Sequence, residues 1–137
     1  MQTVFTDSKD RTPTILVVED EFLIRAMLSD YLQQCGFKVL EGSTADEAVA
    51  IIENMDVQID LVLTDIRMPG SMDGFGLARW IRTNRPSMHV ILTSGDTKKA
   101  EAAKELCEDA AFFVKPYDLE VVATTIRATI GASQTGS

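Results

Sequence analysis

Five short apolar runs, each followed by a stretch of helical periodicity, restrict what this chain can fold into more than any other feature. Thr14 to Val18 (TILVV), Ile59 to Thr64 (IDLVLT) and Met88 to Thr93 (MHVILT) are nearly continuous; Phe37 to Glu41 and Ala111 to Val114 are weaker. Strands buried on both faces read as unbroken runs rather than alternations, so the pattern points to a parallel sheet. Ile24, Met27, Leu28, Tyr31, Leu32 and Cys35 follow helical spacing, and Gly36 supplies a stop. Thr44 with Glu47 forms a capping box ahead of Ala48, Val49, Ile52 and Met55. Gly74, Leu77, Ala78 and Ile81 mark a third helix that stops before Pro86. Ala100, Ala103, Leu106 and Cys107 mark a fourth with a thin stripe, and Leu119, Val122, Ala123 and Ile126 a fifth that ends near Gly131. Five consecutive β-α units with right-handed crossovers make an α/β, doubly wound (βα)5 fold with helices on both faces. Five strands favour the order 2-1-3-4-5 over the six-strand dinucleotide order.

A chain of 137 residues is one domain, expected over 14–130, with 1–13 and 131–137 as tails. Its 13 basic and 21 acidic side chains leave a net charge of −8. That field repels phosphate backbones and anionic lipid, so neither nucleic acid nor membrane is an expected partner. No apolar run reaches the ~20 residues of a bilayer crossing, and the polar N-terminus lacks a signal peptide's apolar stretch. A cytoplasmic protein is expected, with Cys35 and Cys107, in no CxxC pattern, as buried reduced thiols.

In such a sheet, ligands bind beyond the carboxyl ends of the strands. Glu19-Asp20-Glu21 follows the first run, Asp65 the third, Thr93-Ser94 ends the fourth and Lys115-Pro116 follows the fifth. Each piece alone reads as loop solvation, a cap or a turn. Together they put carboxylates, a hydroxyl and an ammonium at one edge. Clustered carboxylates conflict unless a cation joins them, and oxygen ligands without His or Cys select a hard ion such as Mg²⁺. Lys115 is suited to a phosphate oxygen and Thr93 to a hydrogen bond, which completes a set for phosphoryl transfer.

Taken together, ILVVEDE at 15–21, DIRMPGSMDG at 65–74, ILTSG at 91–95 and FVKPY at 113–117 resemble a response-regulator receiver domain, over about Thr14 to Ile130. The resemblance implies a flavodoxin-like, CheY-like fold in bacterial two-component phosphorelay signalling. It implies that Glu19 and Asp20 hold Mg²⁺ (with Mn²⁺ able to substitute), joined by Asp65 and the backbone carbonyl of Arg67. Asp65 would be the phosphoacceptor, Thr93 and Lys115 would bind the phosphoryl oxygens, and Thr93 with Phe112 would form the switch. The Lys115-Pro116 bond is commonly cis in the family. The phosphodonor would be a sensor histidine kinase or a histidine phosphotransfer protein. With only GASQTGS after Ile130, the expectation is a stand-alone receiver, monomer or weak dimer. It would assist its own phosphorylation and dephosphorylation rather than act as an enzyme. Its downstream protein would contact the face built from the fourth helix, fifth strand and fifth helix. A phosphate sink or shuttle is the alternative role.

Three departures stand out. DIRMPGSMDG is one residue longer than the usual motif, with the extra residue at Gly70-Ser71. Phe112 stands where a switch tyrosine or histidine is common, and Glu19 where Asp is commoner. A small Mg²⁺-dependent phosphohydrolase would need a second acid near Asp65, as in D-x-D, but residue 67 is Arg. A receiver-shaped module that is never phosphorylated would lack Asp65 or Lys115, and both are present.

Overall fold

The structure, a computed structural model, describes residues 11–54, 58–95, 111–115 and 117–135. The expected fourth helix around Ala100–Cys107, together with Met55 and Pro116, lies outside them. Five parallel strands form one sheet in the order β2-β1-β3-β4-β5, as expected. The strands are β1 (Thr14–Val18), β2 (Lys38–Gly42), β3 (Leu61–Asp65), β4 (His89–Ser94) and β5 (Ala111–Val114). Four described helices accompany them: α1 (Phe22–Gln34), α2 (Ala45–Asn54), α3 (Gly74–Asn84) and α4 (Leu119–Thr135).

Successive side chains on a strand point to opposite faces, and each face here meets a helix pair. Ile15, Val17, Leu61 and Leu63 pack with α1 (Leu28, Leu32) and α4 (Val122, Ile126). Leu16, Val18 and Val62 pack with α2 (Ala48, Ile52) and α3 (Leu77, Ile81). All five residues of β1 and all five of β3 are buried. Covering both faces is what makes those strands uninterrupted apolar runs. Trp80 is half-buried against the α2/α3 layer, as its off-stripe position implies.

Helix termini follow the local chemistry. Gly36 adopts φ +100°, the left-handed conformation that stops α1, and the Phe37 N–H reaches back to the Leu32 carbonyl at 3.1 Å. The Thr44 hydroxyl accepts the Glu47 N–H at 3.0 Å, half of the capping box. The other half is displaced by one residue, because Glu47 accepts from the Ser43 N–H at 2.7 Å. Asp73 caps α3 by accepting the Gly76 N–H at 2.9 Å.

Two boundaries differ from expectation. The fifth predicted helix, α4, passes Gly131 and runs to Thr135. A glycine stops a helix only where the backbone turns left-handed, and Gly131 is not among the positive-φ residues. At the other end, the guanidinium of Arg11 binds the Asp60 carboxylate, which also accepts the Thr14 N–H at 2.8 Å. The tail is thus pinned from Arg11 onward. Cys35 is half-buried and free rather than fully buried.

Candidate functional site

The ladder continues beyond the strands and fixes their ends. The Glu19 N–H donates to the Gly42 carbonyl at 3.0 Å, the Ile66 N–H to Thr93 at 2.9 Å and the Lys115 N–H to Ser94 at 2.8 Å. Each chain therefore leaves the sheet in register, and the side chains just past the strands converge on one edge. A crevice of about 910 Å³ opens there. Asp20, Asp65, Arg67, Ser94 and Lys115 line it.

Asp65 is the last residue of β3, 8% exposed, at the crevice wall. Its backbone is pressed from behind by Gly74, where a Cβ would stand 2.3 Å from the Asp65 carbonyl oxygen. The Gly74 N–H donates to the Ile66 carbonyl at 2.8 Å, so the start of α3 is locked to the chain leaving Asp65. Glu19, Asp20 and Asp65 each bring one carboxylate oxygen within 4.8 Å of the others. The Lys115 Nζ lies 2.9 Å from Glu19 Oε1 and 3.2 Å from Asp65 Oδ2.

Burial pushes the Asp65 carboxyl above its ordinary value, against the lowering pull of Lys115 and of the Arg67 backbone N–H. Nearby Asp20 pushes the same way as burial. Glu19 is raised too, again chiefly by burial, against its hydrogen bond from Lys115. Burial acts to lower Lys115, but the two carboxylates it contacts outweigh that and hold it above its ordinary value. The site holds more negative charge than its lysine balances. That surplus, with carboxylate oxygens open to the crevice and no His or Cys among its described lining, fits a hard divalent cation.

The residues expected at the site separate into two groups. Asp20, Asp65, Arg67 and Lys115 come together in the crevice. Glu19 meets Lys115 and Asp65 from behind, at 1% exposure, and is not among the lining residues. Of the two hydroxyl residues that end β4, Ser94 borders the crevice and is 3% exposed. Thr93 is 2% exposed and pairs with Asp65 across the β3–β4 ladder. Partners in a parallel register point to the same face, so the pleat puts the Thr93 side chain on the face of the sheet that Asp65 uses and the Ser94 side chain on the opposite one.

Phe112 lies beside Ile66, Ala78 and Leu92, in register with Leu92 rather than Thr93. The extra residue of the loop after β3 is also accounted for. Gly70 adopts φ +108°, and the Ser71 hydroxyl contacts both carboxylate oxygens of Asp46, at 3.1 and 3.0 Å. The longer loop is thereby tied to the start of α2, outside the carboxylate cluster.

Comparison with known proteins identifies the family and the fold. The response regulator receiver domain family matches residues 15–127. The sensor kinase CckA of Brucella abortus is 37% identical over 116 residues, covering 83% of this chain and 12% of that protein. A probable chemotaxis protein CheY of Rhizobium etli is 32% identical, covering 86% of this chain and 92% of that protein. The chain spans between about a tenth and a half of the length of the first curated relatives it matches. Among solved structures, a CheY-like receiver domain protein from Methanospirillum hungatei superposes with a TM-score of 0.81 at 25% identity, covering 93% of this chain and 100% of that one. TrrA of Thermotoga maritima, solved with Mg²⁺ and a beryllium fluoride, superposes with a TM-score of 0.74 at 26% identity, covering 86% and 99%.

Proposed function

This chain belongs to the response regulator receiver domain family of two-component systems, and from that premise we propose that Asp65 accepts a phosphoryl group from a phosphohistidine. One observation carries the reading: Asp65 sits at the crevice between the open carboxylate of Asp20 and the ammonium of Lys115.

The step is a displacement at phosphorus. An Asp65 carboxylate oxygen forms the new P–O bond while the P–N bond to the donor imidazole breaks and its electron pair stays on that nitrogen. Chain residues supply position and charge. The Arg67 backbone N–H holds the Asp65 carboxylate in orientation. Lys115, already 3.2 Å from Asp65, neutralises a phosphoryl oxygen. Thr93, in register with Asp65, would donate its hydroxyl to a second oxygen. Asp20, Asp65 and the Arg67 carbonyl would hold Mg²⁺, which when bound offsets charge shared between carboxylate and phosphoryl oxygens. Water reverses the state by hydrolysing the acyl phosphate.

Phosphorylation adds charge of about −1.5 to −2 at this edge. It transmits a signal by altering affinity for a second protein, and sensor kinases such as CckA and LuxN are among the relatives. A phosphohydrolase reading is disfavoured, because Arg67 occupies the position where a second acid would be needed.

The test is incubation with acetyl phosphate and Mg²⁺ followed by intact mass. One added phosphoryl group on the wild type, absent without Mg²⁺ and absent in Asp65→Asn, supports the assignment. Equal labelling of Asp65→Asn overturns it.

A further inference from the structure

We propose that Glu19 is a positioning residue that holds the Lys115 ammonium beside the phosphoacceptor, rather than a ligand of the divalent ion. The inference builds on the reading of Asp65 as phosphoacceptor and assigns a distinct task to one member of the adjacent acid pair.

Glu19 and Asp20 are neighbours in sequence but not in setting. Asp20 is exposed and lines the crevice, whereas Glu19 is 1% exposed and does not. Both Glu19 oxygens already have partners within the protein. Oε1 accepts from Lys115 Nζ at 2.9 Å, and Oε2 accepts the Glu21 N–H at 3.1 Å. The Glu19 main chain is fixed as well, its N–H on Gly42 and its carbonyl accepting from Arg25 Nη1 at 2.7 Å. A dication on Oε1 would face the ammonium across a single oxygen, which like-charge repulsion opposes.

The span explains the residue type. β1 and β5 are separated by β3 and β4, three strand spacings or about 14 Å. Glu19 and Lys115 bridge that gap from opposite sides, and they meet where Lys115 also touches Asp65. An aspartate at 19 would be one methylene shorter on a main chain that its hydrogen bonds do not let move. The charge count agrees: Glu19 and Lys115 form a neutral pair, which leaves the two charges of Asp20 and Asp65 for the dication. Without Glu19, the ammonium has only the Asp65 carboxylate to rest on, where it competes with the incoming cation and shields the reacting oxygen.

Two readouts test this on the full chain, with Mg²⁺ alone as the probe. The first is Mg²⁺ affinity by calorimetry for wild type, Glu19→Gln, Glu19→Asp and Asp20→Asn. The second is the ¹⁵N resonance of the Lys115 ammonium without metal. Asp20→Asn is expected to weaken Mg²⁺ by roughly tenfold or more, as loss of one ligand charge does. Glu19→Asp, which keeps the charge, is expected to hold the affinity within roughly threefold, well under the 1.4 kcal/mol of a tenfold change, and Glu19→Gln, which removes a charge but no ligand, to lose clearly less than Asp20→Asn. The Lys115 resonance is expected to move in both Glu19 variants. A loss of Mg²⁺ affinity in Glu19→Gln equal to that of Asp20→Asn overturns the proposal. So does an unmoved Lys115 resonance. If Glu19→Gln fails to fold, Glu19→Asp decides on the same two readouts. A wild type that binds no Mg²⁺ fails the proposed function instead, and the Lys115 resonance alone then decides for or against the positioning role.

Discussion

Gly74 lies so close to Asp65 that any side chain at 74 would collide with the backbone of the phosphoacceptor: a Cβ would stand 2.3 Å from the Asp65 oxygen and 2.6 Å from the Ile66 Cα. The neighbour is backbone at the end of a buried strand, so it cannot rotate aside. The α3 N-terminus packs this tightly because its first residue has no side chain, and the packing fixes where Asp65 emerges.

Gly74→Ala is therefore expected to displace α3 or Asp65, at a cost of about 1–3 kcal/mol, the range for overpacking. Its unfolding midpoint in urea should fall. Acetyl phosphate labelling should also slow under conditions where the variant is fully folded. A variant with wild-type stability and wild-type labelling contradicts the close approach.

Asp65 itself should be a stability liability. Burial raises its carboxyl above the ordinary value, so the folded protein binds that proton more tightly than the unfolded chain. Its favourable contribution is present at pH below the unfolded value and is lost as pH rises through the folded one. At neutral pH the ionised group is a cost, and Asp65→Asn is expected to gain on the order of 1 kcal/mol, roughly 3–5 °C for a chain of this size. Lys115 works in the alkaline range, where its raised value contributes stability that is lost only as pH rises past its ordinary value of 10.5. Thermal melts at pH 4 and 7 check the sign: the advantage of Asp65→Asn should shrink at the lower pH. Saturating Mg²⁺ should narrow the gap at pH 7 by stabilising the wild type.

The two hydroxyls at the end of β4 make a direct comparison. Thr93 stands in register with Asp65 and on its face of the sheet, whereas Ser94, one residue on, faces the other way. Thr93→Ala is expected to slow phosphorylation by roughly tenfold, the loss of one hydrogen bond to a charged group. Ser94→Ala should have the smaller effect on labelling. Rates from acetyl phosphate, measured by mass against time, separate the two, and the reverse order gives the role to Ser94.

That pair also shows where sequence reasoning reaches its limit. The sheet was legible because β1 and β3 are buried on both faces, and a doubly covered strand leaves an unbroken apolar run. Asp20, Asp65 and Lys115 were legible because a chemically unusual side chain directly follows such a run. Choosing between Thr93 and Ser94 needs the register of β4 against β3, which pairs Thr93 with Asp65. The end of α4 was misplaced because a glycine signals a stop only through its φ, and Gly131 continues the helix. Glu19 was grouped with Asp20 by adjacency, although one faces the protein and the other the crevice.

Tyr117 supplies the last test. It packs against the α1/α4 side of the sheet, with its ring centroid 6.2 Å from that of Phe113. Its hydroxyl oxygen is buried without a hydrogen-bond partner among the described residues. Burial pushes its ionisation up to about 12, opposed by nearby Lys115 and supported by Glu19 and Asp65. An unmatched buried hydroxyl costs roughly 1–3 kcal/mol, so Tyr117→Phe, which keeps the ring, should stabilise the protein by about 1 kcal/mol at neutral pH. The sign with pH follows from the raised value. The neutral phenol's contribution is intact below its ordinary value of 10.0 and is lost as pH rises through about 12, because only the unfolded chain ionises readily between them. Wild type should therefore lose stability between those limits faster than Tyr117→Phe. Urea denaturation of both proteins across the alkaline range, with tyrosinate absorbance followed in parallel, measures the difference; parallel stability curves would mean that the hydroxyl is hydrated in solution rather than buried.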